Sequence, residues 1–124
     1  MALSACSYDA RIDGGVILKP GRIALVSTIE RFVFPHNLCG HVRDKSSLAR
    51  RFVSVFNTHF DPGFTGHATI EIINYGYDEI VLLHGTPLCQ FVFQWLDKTT
   101  ELPYFGKYQN QQRGPQGARF EEAK

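Results

Sequence analysis

Residues 43–74 read R-D-K-S-S-L-A-R-R-F-V-S-V-F-N-T-H-F-D-P-G-F-T-G-H-A-T-I-E-I-I-N, and their closing run A-T-I-E-I-I-N decides the fold. Its β-branched residues favour a strand, and strand alternation puts Thr69, Glu71 and Ile73 on one face with Ile70 and Ile72 on the other. A carboxylate in that setting points either to water, where most strand acids sit, or into an enclosed site. Upstream, Lys45, Ser46, Ser47 and Arg50 gather cations and hydroxyls that suit an anionic, phosphate-bearing ligand, and this favours the enclosed reading of Glu71. Between the two lie Thr58, an acid on a turn at Asp61, and a reversal at Pro62, Gly63 and Gly66.

Working outward, the chain is a series of short strands broken by turns. Strands are predicted over Ser7 to Ile12, Val16 to Leu18, Ile23 to Thr28, Leu38 to Val42, Val53 to Phe56, His67 to Asn74, Glu79 to Leu83 and Leu88 to Trp95. Asp13-Gly14-Gly15, Lys19-Pro20-Gly21-Arg22, Asp61-Pro62-Gly63, Tyr75-Gly76 and His84-Gly85 supply the turns. Ser46 to Phe52 is the one helix candidate before the C-terminus, with a serine placed to cap it. The pattern is all-β, a sandwich or barrel.

Beyond Trp95 the composition turns polar. Residues 98–124 could not build a core of their own, so 1–97 is the expected core domain and 98–124 an appendage. That appendage carries Tyr104, Lys107, Tyr108, Gln111 and Arg119, which leaves two readings, a frayed terminus or an arm that closes over a ligand.

At 124 residues the chain makes one domain, for which an oligomer would help to bury surface. A formal charge of +1 argues against a general nucleic-acid binder. Cys6, Cys39 and Cys89 are odd in number and lack a C-x-x-C, so neither a disulfide framework nor a sequence-local zinc site is expected, and a cytoplasmic location is. The start, M-A-L-S-A-C-S-Y-D, has no basic region followed by a long apolar run, so no signal peptide or membrane span is expected. His36, His41, His67 and His84 show no ligand spacing. His59 beside Asp61 reads more readily as structural than as catalytic, and Phe52, Phe56, Phe60, Phe64, Phe91, Phe93 and Trp95 read as core or interface aromatics.

The motifs S-Y-D-A-R, L-K-P-G, K-S-S-L-A-R, D-P-G-F-T-G, T-I-E-I-I-N, the G-x-x-x-x-Q-F-x-F of Gly85 to Phe93, and P-Y…K-Y-Q-N-Q-Q-R-G-P occur in this order over nearly the whole chain. Together they resemble the dCTP deaminase family of the trimeric dUTPase-like superfamily, in a shortened form. The resemblance implies a distorted β-barrel or jelly roll, a homotrimer with sites between subunits, and zinc-independent hydrolysis of a deoxycytidine nucleotide, dCTP to dUTP and ammonia. Magnesium would enter only through the substrate phosphates, and dTTP is a possible feedback ligand.

By the same resemblance, Lys45, Ser46, Ser47 and Arg50 would hold the triphosphate or frame the base, with Ser46 orienting the water and Arg50 its neighbours. Asp61 would meet the sugar, Thr69 and Ile70 would offer backbone to the base, and Tyr104, Lys107 and Gln111 would come from the closing arm. Glu71 would be the catalytic acid and base: water attack at C4 needs one proton removed and others delivered to N3 and the departing ammonia, and one relaying carboxylate can do both. The H-x-E…P-C-x-x-C signature of zinc deaminases is absent.

Three alternatives stand beside that reading. A dUTPase resembles the chain around Asp61, but that family has an aliphatic residue where Glu71 stands, and Gln116-Gly117-Ala118-Arg119-Phe120 matches its C-terminal motif poorly; a bifunctional deaminase continuing to dUMP is related to it. A non-catalytic nucleotide-binding regulator and an unrelated all-β structural protein are the others. The chain also departs from the deaminase pattern: it is shorter, Lys45 stands where arginine is commonest, and Arg50 to Asp61 is contracted. Those departures leave dCMP or a 5-substituted deoxycytidine nucleotide open as substrate.

Overall fold

The computed structural model describes Leu3 and residues 6–119; Met1, Ala2, Ser4, Ala5 and the last five residues of the expected arm lie outside the described part. Within it the strands are β1 (Ser7–Asp13), β2 (Val16–Leu18), β3 (Ile23–Val33), β4 (Leu38–Asp44), β5 (Val53–Val55), β6 (His59–Phe60), β7 (Thr65–Asn74), β8 (Ile80–Leu82) and β9 (Pro87–Trp95). One short helix, α1 (Ser46–Ala49), interrupts them. Seven strands form one sheet in the order β5-β7-β3-β1-β9-β4-β6, and β2 pairs with β8 in a second. All of these pairings are antiparallel.

The large sheet curls because β1 serves two partners. Ser7 to Arg11 pair with β9 across an irregularity at Ala10/Arg11, and Ile12 and Asp13 pair with β3. A bulge of this kind bends a strand and raises its twist. The two halves therefore fold towards each other around one core that holds Ile12, Val26, Val42, Ile70, Ile72 and Phe91. The β2-β8 pair closes one end with Leu18, Ile80 and Leu82. The all-β class is as expected, and the sheet takes the form of a curled half-barrel.

Strand β7 follows its alternation without a break: Gly66, Ala68, Ile70, Ile72 and Asn74 are buried, while the residues between them are only partly so. Strand β3 runs past the expected end at Thr28 to Val33, with its register shift between Ser27 and Arg31. The polar Glu30 within this extension is accommodated by β1. It accepts from the Arg11 backbone N–H at 3.0 Å, from Arg11 Nε at 2.8 Å and from the Tyr8 hydroxyl at 2.9 Å. Burial pushes the Glu30 carboxyl up, but the Arg11 hydrogen bonds outweigh it and hold the group below its usual range.

Other boundaries differ for local reasons. The helix stops at Ala49 instead of Phe52, because Phe52 adopts φ 65, a left-handed conformation that ends the turn. Phe52 is consequently exposed and not a core residue. Strand β6 was not foreseen, since two residues carry no periodicity. None of the described helices is long and apolar enough to cross a membrane.

Asn74 ties the end of β7 to its surroundings. Its fully buried side chain donates from Nδ2 to the carbonyls of Leu18 at 2.9 Å and Asp78 at 2.8 Å, and its Oδ1 accepts from the Gly76 N–H at 2.8 Å. Asn74→Ala strands those groups and should lower unfolding free energy by about 3 kcal/mol in urea titrations, since each orphaned buried group costs roughly 1–3 kcal/mol. Asn74→Asp should be no better, because a carboxylate cannot donate to either carbonyl. A loss under about 1 kcal/mol would mean that water replaces the side chain.

Candidate active site

A cavity of about 450 Å³ opens between β6, β7 and the C-terminal segment. Thr58, His59, Phe60 and Asp61 form one wall, Thr69 and Glu71 of β7 another, and the segment covers it with Tyr104, Tyr108, Gln111 and residues 116–118. Glu71 reaches it because its neighbours Ile70 and Ile72 face the core with no exposed surface. Glu71 Oε2 and Thr58 Oγ1 are buried there with no hydrogen-bond partner. Buried polar atoms are nearly always satisfied, so two orphans facing one cavity point to a ligand or water that completes them.

The outer edge of β7 adds a second polar feature. The His67 N–H is bonded to Gln111 O at 3.0 Å, and Glu71 O accepts from the Phe56 N–H at 3.0 Å. Backbone groups of successive strand residues point to opposite edges, so Thr69 turns its N–H and C=O outward between these two bonds, whereas those of Ile70 face β3. Neither β5 nor the bridging residues of the segment cover Thr69, which leaves a donor and an acceptor at the cavity beside Glu71.

The C-terminal segment is docked, not frayed, through residue 119. Asn110 N–H bonds Thr65 O at 2.7 Å, Gln111 Nε2 donates to His67 O at 2.8 Å, and Gln116 N–H donates to Thr69 Oγ1 at 2.9 Å. Gln111 also forms a parallel bridge with Gly66. A Cβ on Gly66 would lie 2.6 Å from Gln111 N, and its φ is +143, so this crossing requires glycine. Further on, Arg113 clasps Asp13 with bonds of 2.7 and 2.8 Å. That hydrogen bonding holds the Asp13 carboxyl below its usual range.

The expected site residues thus fall into two groups. Asp61, Thr69, Glu71, Tyr104 and Gln111 meet at the cavity, with Ile70 directly behind it as a fully buried core side chain. Lys45, Ser46, Ser47 and Arg50 lie on and beside α1 and do not line it. Ser46, Ser47 and Arg50 are exposed, while Lys45 Nζ is paired with Asp9 Oδ2 at 2.9 Å. Lys107 lies over the Tyr108 ring, 5.7 Å from its centroid, and is likewise not in the lining.

Thr58 of the central stretch and Tyr108 of the appendage also line the cavity, and with them Leu25 and Gln116, for which the sequence offers no site signal. Leu25 could have been found only from register, as the cross-strand partner of Glu71. His59 pairs with Asp61, Nε2 to Oδ1 at 2.9 Å, and its other ring nitrogen lies 3.1 Å from His41.

Residues 5–96 match a family model described as dCTP deaminase-like. A "dCTP deaminase, dUMP-forming" of Coprothermobacter proteolyticus is 39% identical over 111 residues, 86% of this chain and 59% of the relative. The chain therefore spans less than two thirds of that protein's length. The crystal structure of 2'-deoxycytidine 5'-triphosphate deaminase from Agrobacterium tumefaciens superposes with a TM-score of 0.69 at 18% identity, over 76% of this chain and 40% of that one. The native EIAV dUTPase superposes at 0.67 with 20% identity, over 84% and 87%. The two structures share the fold.

The docking of the C-terminal segment is open to test. Gly66→Ala should displace it and speed trypsin cleavage at Arg113 severalfold while far-UV circular dichroism of the sheet persists. The Asp13–Arg113 contribution has a definite sign with pH: because the folded carboxyl titrates lower than an unfolded aspartate, it is complete above about pH 4. It disappears only as pH falls through the lower folded value. Amide protection near Gln111, taken relative to an unstructured peptide at each pH, that falls instead between pH 5 and 7 would show that another group holds the segment.

Proposed function

We propose that this chain, which belongs to the dCTP deaminase-like family, hydrolyses the exocyclic amine of a deoxycytidine nucleotide, with dCTP as the substrate. The observation that carries the reading is the buried, unpartnered Glu71 Oε2 at the cavity, next to the outward backbone edge of Thr69. A cytosine ring placed there can exchange hydrogen bonds with the Thr69 N–H and C=O, which sets C4 towards Glu71. The carboxylate takes a proton from the attacking water as the C4–O bond forms and passes protons to N3 and to the leaving amine, so that C–N cleavage releases ammonia. The arm covers the base through Tyr104 and Gln111 and excludes bulk water during the reaction.

The α1 group takes the remaining roles in this reading. Ser46, Ser47 and Arg50 bind phosphate or orient the water, but they do so at the cavity of a second copy of the chain, because one chain keeps them apart from its own cavity. A homotrimer supplies such sites between copies, and exposed Ile23, Val33, Val81, Leu83 and Trp95 offer apolar surface for the contacts. Magnesium would be held through the substrate phosphates, whose hard oxygens suit it. A cytoplasmic compartment suits three cysteines that are all free thiols.

A second reading, that the product continues to dUMP, is favoured by Asp61 on the same cavity wall and by the dUMP-forming relative. Assaying ammonia and pyrophosphate in parallel from dCTP, dCMP and dUTP separates the two. Ammonia from dCTP without early pyrophosphate supports simple deamination, and rapid pyrophosphate from dUTP supports the longer reaction.

Glu71→Gln should lower kcat by roughly a hundredfold or more while nucleotide still binds, as for loss of a general acid and base. Near-normal ammonia release would remove Glu71 from the chemistry. Arg50→Ala should also be inactive, yet mixing it with Glu71→Gln chains and reassembling them should restore part of the activity. Each hybrid then contains some sites with an intact α1 and an intact Glu71. No recovery in verified mixed oligomers would place both groups in one chain's site.

A further inference from the structure

We propose that Cys39, His41 and His59 form a binding site for one borderline-soft divalent transition ion, with zinc as the preferred occupant. Cys39 and His41 are two residues apart on β4 and so share a face, and His59 on β6 is the cross-strand partner of His41. Their ligand atoms all lie within 4.8 Å of one another. His41 Nδ1 and His59 Nδ1 are 3.1 Å apart, and Cys39 Sγ is 3.9 Å from the His41 ring at Nε2. Zinc bonds nitrogen at about 2.0–2.1 Å and thiolate sulfur at about 2.3 Å, so two ring nitrogens on one tetrahedral ion sit about 3.3 Å apart. The existing spacing of the histidines is nearly that.

The surroundings of both rings fit the same assignment. Asp61 Oδ1 is 2.9 Å from His59 Nε2, and Gln94 Oε1 is 3.4 Å from His41 Nε2. Asp61 behind His59 Nε2 favours the proton there and leaves Nδ1 facing His41, as outer partners do for metal-bound histidines, whereas His41 has Cys39 and Gln94 on its Nε2 side and its ring must pivot to give one nitrogen to the shared ion. One thiolate and two imidazoles select zinc or cobalt over magnesium, which prefers oxygen. Cys39 is buried and His59 half-exposed, so the ion enters from the His59 side and binding releases the Cys39 proton. Three protein ligands leave one position for solvent.

This site stands independently of the deamination reading, and no step of that reaction passes through the ion. Protein stripped with a chelator and kept reduced should bind one Co2+ per chain, with a thiolate-to-cobalt charge-transfer band and tetrahedral d–d bands that Zn2+ abolishes. Cys39→Ser should remove the charge-transfer band, and His59→Asn should weaken Zn2+ binding by at least about tenfold. Zn2+ should raise the Tm of the unaltered chain and not that of His59→Asn. His59 is solvent-facing, so that variant carries the test if Cys39→Ser does not fold. Substoichiometric cobalt binding, or equal affinity in the chain and His59→Asn, would overturn the proposal whatever the deaminase assays show.

Discussion

The ladder between β3 and β7 is the constraint on which the site depends, because it locks the register of β7 against a buried face. Ala68, Ile70, Ile72 and Asn74 all face inward with no exposed surface, and the period of two then leaves Thr69 and Glu71 no alternative but the cavity face. A slip of one residue would bury the carboxylate in the core and expose the isoleucines. Burying an isoleucine contributes roughly 1.5–3 kcal/mol, so a slip that exposed Ile70 and Ile72 would forfeit several kcal/mol even before the desolvation of Glu71 is counted. The same strand also hosts β5 at one end and the C-terminal arm at the other, and the uncovered stretch between them is where Thr69 presents its backbone.

The arm is a polar strap, and it is held by polar bonds more than by apolar burial. Bonds from Thr100 to His36 and from Tyr104 to Pro62 fix its start, backbone pairing at Thr65, Gly66 and His67 holds its middle, Ser27 and Thr69 accept from it further along, and Arg113 anchors it on Asp13. Tyr104 and Tyr108 add partial packing against the core, with the Tyr104 ring 5.6 Å from Phe64. Such a strap closes the cavity without making it permanent, since each of its exposed bonds is worth little against water. Glu71 Oε2 and Thr58 Oγ1 find no protein partner there, and sites that break a local rule in this way are commonly the functional ones.

Strand β6 joins two features that have no connection in the sequence. As the edge of the large sheet it brings His59 across from His41, and its following residue Asp61 faces both the cavity and the back of the His59 ring. An ion at the Cys39, His41 and His59 cluster would therefore fix the orientation of a carboxylate on the active-site wall. Edge strands expose unpaired backbone groups, and a side-chain cluster that occupies the edge also protects it from pairing with another chain.

Much was decided by local sequence. The alternation in A-T-I-E-I-I-N, the turn residues and the motif order were enough for an all-β chain and for a Glu71 side chain turned away from the isoleucines, because each depends on residues adjacent in sequence or on ordered spacing. The extension of β3 through Glu30 was hidden, since the partners that satisfy that acid lie on β1, and so was the exclusion of Phe52 from the core, because its left-handed backbone has no local signature. Only the tertiary structure separated the α1 group from its own cavity, paired Lys45 with Asp9, and set His59 beside His41, which lies 18 residues away. Those outcomes depend on cross-strand register and sheet curvature, which are set by the packing of the whole core and have no local code.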